Sequence, residues 1–467
     1  MSGADDLHYL GIADAGQRFR DGSLSPVTLT EALLDRIGAL DDRLQVFVTL
    51  TRDAALDSAK AADEALRNGS DRGPLHGIPL GIKDLYDTEG VRTTSCSKVR
   101  ENYVPAEDAT TVARLRAAGG VFLGKVATHE FAFGFDAPPA RNPWNTEHTP
   151  SGSSGGSGSG LGAGFFAGAT GSDTGGSIRA PAAANGISGI KPTYGRVSKH
   201  GVAVLSWTLD HAGPMARSAR DLAIMLQVMA GPDPKDPTTI DEPVPDYSAA
   251  LTGGASGLRL GVPRNYFFED VIPDVENAVR GAIEVLGKAG AQIVEVTIPD
   301  IEYLLENFFS IVVPEAAAYH TRTFQETPEA YNDDVRELLE QGNIVFATTY
   351  INALRSRNVI RNGFRKAFDG IDAMLVPGLP VTAPKVGQAT YDWGSWQEPV
   401  FRAHARFNCP FNLCGLPAAT VPCGIAGDGL PVGLQIAGKP FDEATVLRTA
   451  DAYQLRSDWH LQRPPLD

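Results

Sequence analysis

The stretch of sequence that sets this chain apart reads TPSGSSGGSGSGLGAG over residues 149–164, and GSDTGGSIRAP follows over residues 171–181. A run of glycine and serine is typical of a flexible linker. Here the apolar residues Leu161, Phe165 and Phe166 lie within or directly after the run, and no other sign of a domain boundary surrounds it. We therefore predict that the stretch belongs to the folded core.

The second part of this stretch surrounds a serine with backbone donors. Thr174, Gly175, Gly176 and Ser177 carry consecutive N–H groups with almost no side-chain bulk, and glycine lets such groups approach a ligand closely. A nucleophilic serine needs N–H donors beside it to stabilise an oxyanion. The pattern therefore suits an oxyanion hole that ends at Ser177.

The base that would activate Ser177 is not evident among the nine histidines, which are scattered and carry no motif. A lysine is the alternative. Lys83 follows the apolar run at residues 78–82, and desolvation would favour its neutral amine, which can accept a proton. From the local sequence two other interpretations stay open: an ordinary surface lysine, or a buried lysine paired with Asp84.

Two other motifs are rejected as functional sites. Residues 152–156 match the G-x-S-x-G pattern of a nucleophile elbow, but the polar residues before them do not form the strand that an elbow requires. Residues 119–125 approach the phosphate-binding P-loop. However, Val126 stands where a Ser or Thr must hold magnesium, and residues 121–123 look like a strand.

The order of apolar patterns along the chain predicts an α/β fold. Residues 1–70 look like an N-terminal helical segment that packs on a core of residues 71–467, in which strand and helix patterns alternate. This alternation favours a large mixed sheet covered by helices. Pro79 suggests that the strand before Lys83 is an edge or entry strand. Residues 299–368 look mostly helical, and we expect them to lie on the substrate side.

Composition argues against several functional classes. The net charge of −15 is spread without a basic block, which disfavours binding to nucleic acid or to an anionic membrane surface. No apolar run could span a bilayer, and residues 1–10 do not resemble a signal peptide. The four cysteines form no CxxC pair or zinc pattern. We expect a cytoplasmic enzyme that needs no metal or other cofactor.

Several motifs taken together resemble the amidase signature family. They are GIPLGIKD at residues 77–84, GSSGGS at 152–157, GSDTGGSIR at 171–179, KPTYGRV at 191–197, LDHAGP at 209–214 and GLPVGLQ at 429–435. The resemblance runs from about residue 7 to residue 453. It implies a single α/β/α domain around a large mixed sheet, which agrees with the alternation described above.

The resemblance also implies a Ser–Ser–Lys catalytic triad. Carried over by motif, Ser177 is the nucleophile, Ser153 is the bridging serine that follows a cis peptide bond, and Lys83 is the base. Neutral Lys83 would take a proton from Ser177 through Ser153, and an acyl-enzyme would form. The same relay would protonate the departing amine.

Neighbouring residues match family positions that support the site. The resemblance assigns Thr174, Gly175 and Gly176 to the oxyanion hole, and it gives supporting roles to Ser154, Asp173 and Arg179. The chain departs from the family at Ser151, where glycine is usual. This departure puts the detail of the loop in doubt, not the activity.

Two functions fit the resemblance. The first is a stand-alone hydrolase of hydrophobic or aryl amides, carbamates (urethanase-like) or esters, acting alone or as a homodimer on a small molecule. The alternative is the A subunit of a glutamyl- or aspartyl-tRNA amidotransferase, with protein and tRNA partners. Residues 315–329 lack the Ser-Ser-Asn-Leu-Ala-Arg pattern of such subunits, which favours the first. Two roles stay open for the aromatic residues of this part of the chain, a substrate wall or plain core packing; they are Phe308, Phe309, Phe346, Tyr350, Trp393, Trp396, Phe401, Phe407 and Phe411.

Overall fold

The computed structural model describes residues 7–466, and it contains one large sheet. The strands are β1 Phe47–Leu50, β2 Pro79–Lys83, β3 Val121–Val126, β4 Gly168–Asp173, β5 Ser188–Lys191, β6 His211–Ala216, β7 Arg259–Pro263, β8 Gln292–Val296, β9 Ala373–Pro377, β10 Thr390–Asp392, β11 Gln397–Pro399, β12 Ala418–Ile425 and β13 Pro431–Gly438. Eleven of them form this sheet in the order β1-β3-β2-β4-β6-β5-β12-β13-β9-β7-β8, and β10 pairs with β11 separately.

The sheet is mixed, as predicted. Strand β2 lies parallel to β3 and β4, and β7 lies parallel to β8 and β9. The other neighbours in the sheet are antiparallel, including the long β12–β13 pair. The side chains of β4, β5, β6, β9 and β13 are buried along their whole length, which is typical of strands covered on both faces.

Helices pack on this sheet. They are α1 Ile12–Arg20, α2 Pro26–Leu44, α3 Arg52–Arg67, α4 Thr110–Ala117, α5 Gly155–Ala163, α6 Arg179–Ala184, α7 Ala219–Met229, α8 Pro273–Lys288, α9 Leu304–Glu326, α10 Asp333–Asn343, α11 Ala347–Ala367, α12 Val400–Arg406, α13 Cys409–Cys414 and α14 Glu443–Gln454. Helices α8 and α14 contact β12 and β13, α7 contacts β6, and α5 contacts β2 and β4. The α/β fold predicted from the sequence is confirmed.

The N-terminal segment departs from the prediction in one respect. Residues 7–70 are mostly helical, but β1 interrupts them and pairs antiparallel with β3 at the edge of the main sheet. The prediction of an all-helical segment was therefore wrong, because a four-residue strand carries little periodic signal. Residues 1–6 lie outside the described part of the chain. Residues 299–368 are mostly helical, as expected, and contain α9, α10 and α11.

Strand β2 is an interior strand and not an edge strand. It lies between β3 and β4. Pro79 is its first residue, a position at which a proline is compatible with a sheet. This placement carries the last residue of the strand, Lys83, into the centre of the molecule.

The glycine-rich stretch is a buried helix, as the prediction of a folded core required. All nine residues of α5 are buried. A Cβ atom at Gly156 would lie 2.5 Å from the backbone nitrogen of Ala127, and one at Gly160 would lie 2.3 Å from the ring of Phe166. Glycine is therefore required because neighbouring segments pack directly on the helix backbone. Within residues 7–466, no helix is long and apolar enough to cross a membrane.

Candidate active site

Lys83 lies at the centre of the candidate site and contacts three serines. It ends β2, and its side chain is fully buried. Its Nζ atom lies 2.8 Å from Ser153 Oγ, 2.8 Å from Ser154 Oγ and 2.9 Å from Ser172 Oγ. The interpretation of Lys83 as an ordinary surface lysine is therefore wrong.

Pairing of Lys83 with Asp84 is also excluded by the geometry. The Asp84 carboxylate points to another loop, where it accepts hydrogen bonds from the Thr94 backbone N–H and from Thr94 Oγ1. Burial raises the pKa of Asp84, and the positive charge that opposes this effect is that of Lys125. Within residues 7–466, no ion pair joins Lys83 to Asp84, so the amine is free to interact with hydroxyl groups alone.

Burial makes the Lys83 amine a usable base. Desolvation is the largest influence and lowers the pKa of Lys83 to about 7, against the opposing attraction of the Asp173 carboxylate. A substantial fraction of the amine is therefore neutral near neutral pH. A neutral amine has a lone pair that can accept a proton from a neighbouring hydroxyl.

The two serines of the glycine-rich stretch are placed by main-chain contacts. The peptide bond between Gly152 and Ser153 is cis, as the resemblance implied. Ser154 precedes α5 and its backbone N–H donates to the carbonyl oxygen of Ser177 at 3.2 Å. This bond holds the chain that carries Ser153 beside the chain that carries Ser177. The Ser177 side chain forms no hydrogen bond within residues 7–466, and the residue is 6% exposed.

Ser151 occupies a position that favours glycine. Its φ of 59° lies in the left-handed region, where a non-glycine residue is uncommon. The side chain contacts a histidine, since Ser151 Oγ lies 3.2 Å from His404 Nδ1. Burial lowers the pKa of His404 to about 4, so the contact is with a neutral ring. The departure from the family is thus accommodated locally.

The predicted oxyanion hole needs one correction. The backbone N–H of Gly176 donates to Asp173 Oδ1 at 2.9 Å, so that group is already engaged. In the part of the chain that the structure describes, the N–H groups of Thr174, Gly175 and Ser177 take part in no hydrogen bond. Gly176 contributes conformation instead: its φ is 127°, and a Cβ there would lie 2.5 Å from Asn408 Cβ. A contiguous sequence of small residues could not show which N–H groups point away from the site.

A buried ion pair fixes the oxyanion loop. Arg179 and Asp173 are both fully buried, and Arg179 Nη2 lies 2.9 Å from Asp173 Oδ1. Burial opposes ionisation of Asp173, but the charge and hydrogen bonds of Arg179 outweigh it and hold the pKa of this carboxyl below its usual range. Arg179 also donates to Gln435 Oε1 at 2.6 Å and to Asn412 Oδ1 at 2.7 Å. These contacts fit the supporting roles that the resemblance implied.

Sequence reasoning missed three residues of this network. Ser172 and Gln435 lie within the quoted motifs at residues 171–179 and 429–435, so their positions could have been noticed. Asn412 lies in no quoted motif, and its Nδ2 donates to Asp173 Oδ1 at 2.8 Å. Within residues 7–466, no group of three or more His, Cys, Asp or Glu side chains is arranged to hold a metal ion.

A row of aromatic rings begins at the oxyanion loop. Phe308 of α9 packs on Gly175, where a Cβ would lie 2.5 Å from the ring. Ring centroids are 5.1 Å apart for Phe308 and Phe309, 5.4 Å for Phe309 and Phe401, and 6.3 Å for Phe401 and Phe135. Phe401 is 44% exposed, so the row runs from the buried loop to the surface. We call these four rings the aromatic row.

Other aromatics of the predicted wall lie elsewhere. Phe407 is fully buried and packs on Phe267, with ring centroids 5.5 Å apart. Trp393 donates from Nε1 to Glu398 at 3.0 Å, and Trp396 is 42% exposed. Phe346 is also exposed, at 78%. Phe407 is thus a core residue, which aromatic composition alone could not distinguish from a pocket residue.

Basic residues also occur in the helical region, on α11. Arg355, Arg357, Arg361 and Arg365 follow one another along this helix. Arg357 is directed to main-chain oxygens, donating to Leu413 at 2.7 Å and to Thr208 at 3.1 Å. Its guanidinium therefore links α11 to α13 and to the loop that contains Thr208.

Comparisons with known proteins agree with the fold and the motifs. A sequence profile of the amidase family matches residues 28–447. The A subunit of the glutamyl-tRNA(Gln) amidotransferase of Roseiflexus sp. (strain RS-1) is 44% identical, covering 98% of this chain and 99% of that protein. An amidase of Pseudomonas putida is 43% identical and covers 98% of each. The crystal structure of an amidase matches with a TM-score of 0.87 at 34% identity, covering 96% of this chain and 100% of that chain. Because these matches extend over nearly its whole length, the chain belongs to the amidase signature family.

Proposed function

We propose that the protein is a stand-alone amide hydrolase with Ser177 as nucleophile, Ser153 as bridging serine and Lys83 as base. The observation that carries this proposal is the fully buried Lys83 amine, which lies 2.8 Å from Ser153 Oγ and has no carboxylate partner within residues 7–466. Ser177 gives its proton to Ser153, and Ser153 gives its own to Lys83. Ser177 Oγ then bonds to the acyl carbon.

The second half of the reaction reverses the proton path. The tetrahedral intermediate collapses as the C–N bond breaks, and the Lys83 ammonium returns a proton through Ser153 to the departing amine. Water then hydrolyses the acyl-enzyme by the same relay. The oxyanion is held by N–H groups of Thr174, Gly175 and Ser177, whereas Gly176 keeps its bond to Asp173.

The aromatic row supports a proposal for the substrate class. Phe308 packs directly on the oxyanion loop, and the row continues outward to Phe401. An aryl or long apolar group attached to the scissile bond would contact these rings edge-on or offset. We propose hydrophobic and aryl amides as substrates, with aryl carbamates and esters as further ones because their carbonyl groups accept the same attack.

A second candidate is the A subunit of a tRNA-dependent amidotransferase, and the 44% identity to such a subunit favours it. That activity would require recognition of glutamine, which carries two charges. The aromatic row offers no charge to such a substrate. Glu315, within the segment that lacks the subunit pattern, instead accepts hydrogen bonds from Ser206 Oγ and Tyr350 OH.

The proposal is tested with Ser177→Ala and an active-site label. Ser177→Ala is expected to reduce hydrolysis of an anilide to background while thermal unfolding stays close to wild type. A phenylmethylsulfonyl-type reagent should label Ser177 and not Ser154, as read by peptide mass spectrometry. Ser157→Ala is the matched control, because this buried serine donates only to the Thr170 carbonyl at 2.8 Å. Anilide turnover by Ser177→Ala at the rate of this control would refute the proposal.

A further inference from the structure

The Lys83 amine has two more hydroxyl neighbours than a relay through Ser153 requires. Besides Ser153, it donates to Ser154 Oγ at 2.8 Å and to Ser172 Oγ at 2.9 Å. Ser172 lies on β4, eighty-nine residues from Lys83 along the chain. The proposed function gives this third serine no role.

The number of protons on the amine explains why three neighbours matter. An ammonium has three N–H donors and no acceptor, whereas a neutral amine has two donors and one lone pair. A neutral Lys83 that is to accept a proton from Ser153 must direct its two remaining N–H groups elsewhere. The amine can rotate about its Cε–Nζ bond, so the direction of the lone pair depends on which neighbours accept those N–H groups.

Ser154 can only accept from the amine. Its Oγ donates to the Ser172 carbonyl at 3.2 Å and accepts the Ser172 backbone N–H at 3.3 Å. The Ser154 hydroxyl proton is therefore already donated to β4. Within residues 7–466, the Ser172 hydroxyl makes no hydrogen bond except the one to Lys83, so it is available to take the second N–H.

We propose that Ser172 is a positioning residue that, together with Ser154, holds the two N–H groups of the neutral Lys83 amine so that its lone pair faces Ser153. This inference rests on the proposed function. In the acylation step Ser177 loses a proton to Ser153, and Ser153 passes its own proton to Lys83. The ammonium that forms then donates one N–H to each of the three serines. When the C–N bond breaks, the proton on the Ser153 side leaves and the other two bonds persist.

The surroundings of Ser172 allow the hydroxyl to be tested alone. Ser172 is 7% exposed and lines a cavity of about 230 Å³ together with Ala203 and Leu205. Ser172→Thr is the conservative variant, since it keeps the hydroxyl group beside this cavity. The groups that influence the charge of Lys83 are Asp173, Asp210 and the Cys96 thiol, and a substitution at Ser172 leaves all of them in place.

The experiment measures kcat and KM of Ser172→Ala from acid to alkaline pH, on an anilide that the wild-type enzyme hydrolyses. The plateau of kcat is expected to fall about 10- to 100-fold, the rate equivalent of one hydrogen bond to a charged group. The fall of kcat on the acid side of the pH profile, which we call the acid limb, should move to lower pH by about one unit. The reason is that loss of the Ser172 acceptor disfavours the Lys83 ammonium. KM should change little, and Ser172→Thr should restore both the plateau and the limb.

The controls separate this inference from the proposed function. Ser157→Ala also removes one buried serine hydroxyl next to β4, and its acid limb is expected to stay at the wild-type pH. If Ser172→Ala unfolds, Ser172→Cys keeps the volume but has a weak acceptor, and it should show the same two changes. The role of Ser172 would be overturned if Ser172→Ala and Ser172→Cys kept the wild-type plateau of kcat and the wild-type pH of its acid-side fall. A higher kcat in these variants would overturn it as well. Activity of Ser177→Ala would overturn the proposed function itself.

Discussion

At the scale of single residues, burial of Lys83 is the feature on which the proposed chemistry depends. Lys83 is enclosed by β2, β4 and the start of α5, and its charge is opposed by desolvation. Ser154 and Ser172 satisfy its N–H groups, which an apolar enclosure would leave without partners. The enclosure therefore lowers the pKa of Lys83 to about 7, as the proposed role of this lysine as a base requires.

The rate is expected to depend on pH through this lysine. With a Lys83 pKa of about 7, the amine is charged below that pH and cannot accept a proton, so kcat/KM should fall on the acid side and level off above it. Lys83→Ala should lose about as much activity as Ser177→Ala, because residues that act as one unit are not additive. A pH–rate profile of the wild type and single-turnover rates of both variants would measure this.

A suitable control for the lysine is Lys125. It is also buried, but its amine donates to Thr88 Oγ1 and Thr93 Oγ1, both at 2.9 Å, within another loop. Lys125→Met should change stability and leave the position of the acid limb unchanged. The role of Lys83 as the base would be contradicted if the acid limb of the pH–rate profile moved in Lys125→Met and did not move in a conservative Lys83 variant.

At the scale of elements, the loop between β4 and α6 is held by one ion pair. Removing the Arg179 charge in Arg179→Met would leave Asp173 buried and ionised. We expect a loss of about 3–5 kcal/mol in the free energy of unfolding, measured with urea at neutral pH. Activity should fall as well, since Asp173 also binds the N–H groups of Gly176 and Ile178.

The same pair should govern acid stability. The Asp173 pKa is depressed in the folded state, so its stabilising contribution is present above its unfolded value of about 3.9 and is lost as pH falls through the folded value. Wild-type stability should therefore decline in acid more steeply than that of Asp173→Asn. As a control, Arg322→Met breaks an exposed pair with Glu326 and should cost less than about 1 kcal/mol. Equal losses for the buried and the exposed pair would contradict this interpretation.

At the scale of the whole molecule, we propose that one chain suffices for activity. All the residues assigned to the relay and the oxyanion loop come from this polypeptide, so the purified protein should hydrolyse anilides without glutamine, ATP, tRNA or a partner subunit. Aryl and hydrophobic amides should give a higher kcat/KM than glutamine or malonamate. Ammonia release from glutamine that appears only with partner subunits would favour the amidotransferase instead.

The aromatic row makes this preference testable by substitution. Phe401 is its most accessible ring, and Phe401→Ala should raise KM for anilides about 2- to 10-fold, the equivalent of one aromatic contact. Small aliphatic amides should be affected less. Trp459→Ala, which removes another partly exposed aromatic, is the control, and equal effects of the two variants on anilides would argue against the row as the substrate wall.

Much of this protein follows from its sequence because the deciding signals are local. Alternating strand and helix patterns indicate the α/β class, and glycines next to serines identify the two segments that carry Ser153 and Ser177. The motif around Lys83 is equally compact. Such patterns depend on neighbours only a few residues away, so they can be recognised without knowing where the segments meet.

Only the tertiary structure decided how those segments act on one another. It brought Ser153 and Ser172 into contact with the Lys83 amine, from which they are seventy and eighty-nine residues away in sequence. It also directed the Gly176 N–H to Asp173. The rings of Phe135, Phe309 and Phe401 came together in one row. It also added β1 to a sheet from a segment that looked helical. Burial, hydrogen-bond direction and ring contacts depend on chain segments that are distant in sequence, and for that reason they could be read only from the folded molecule.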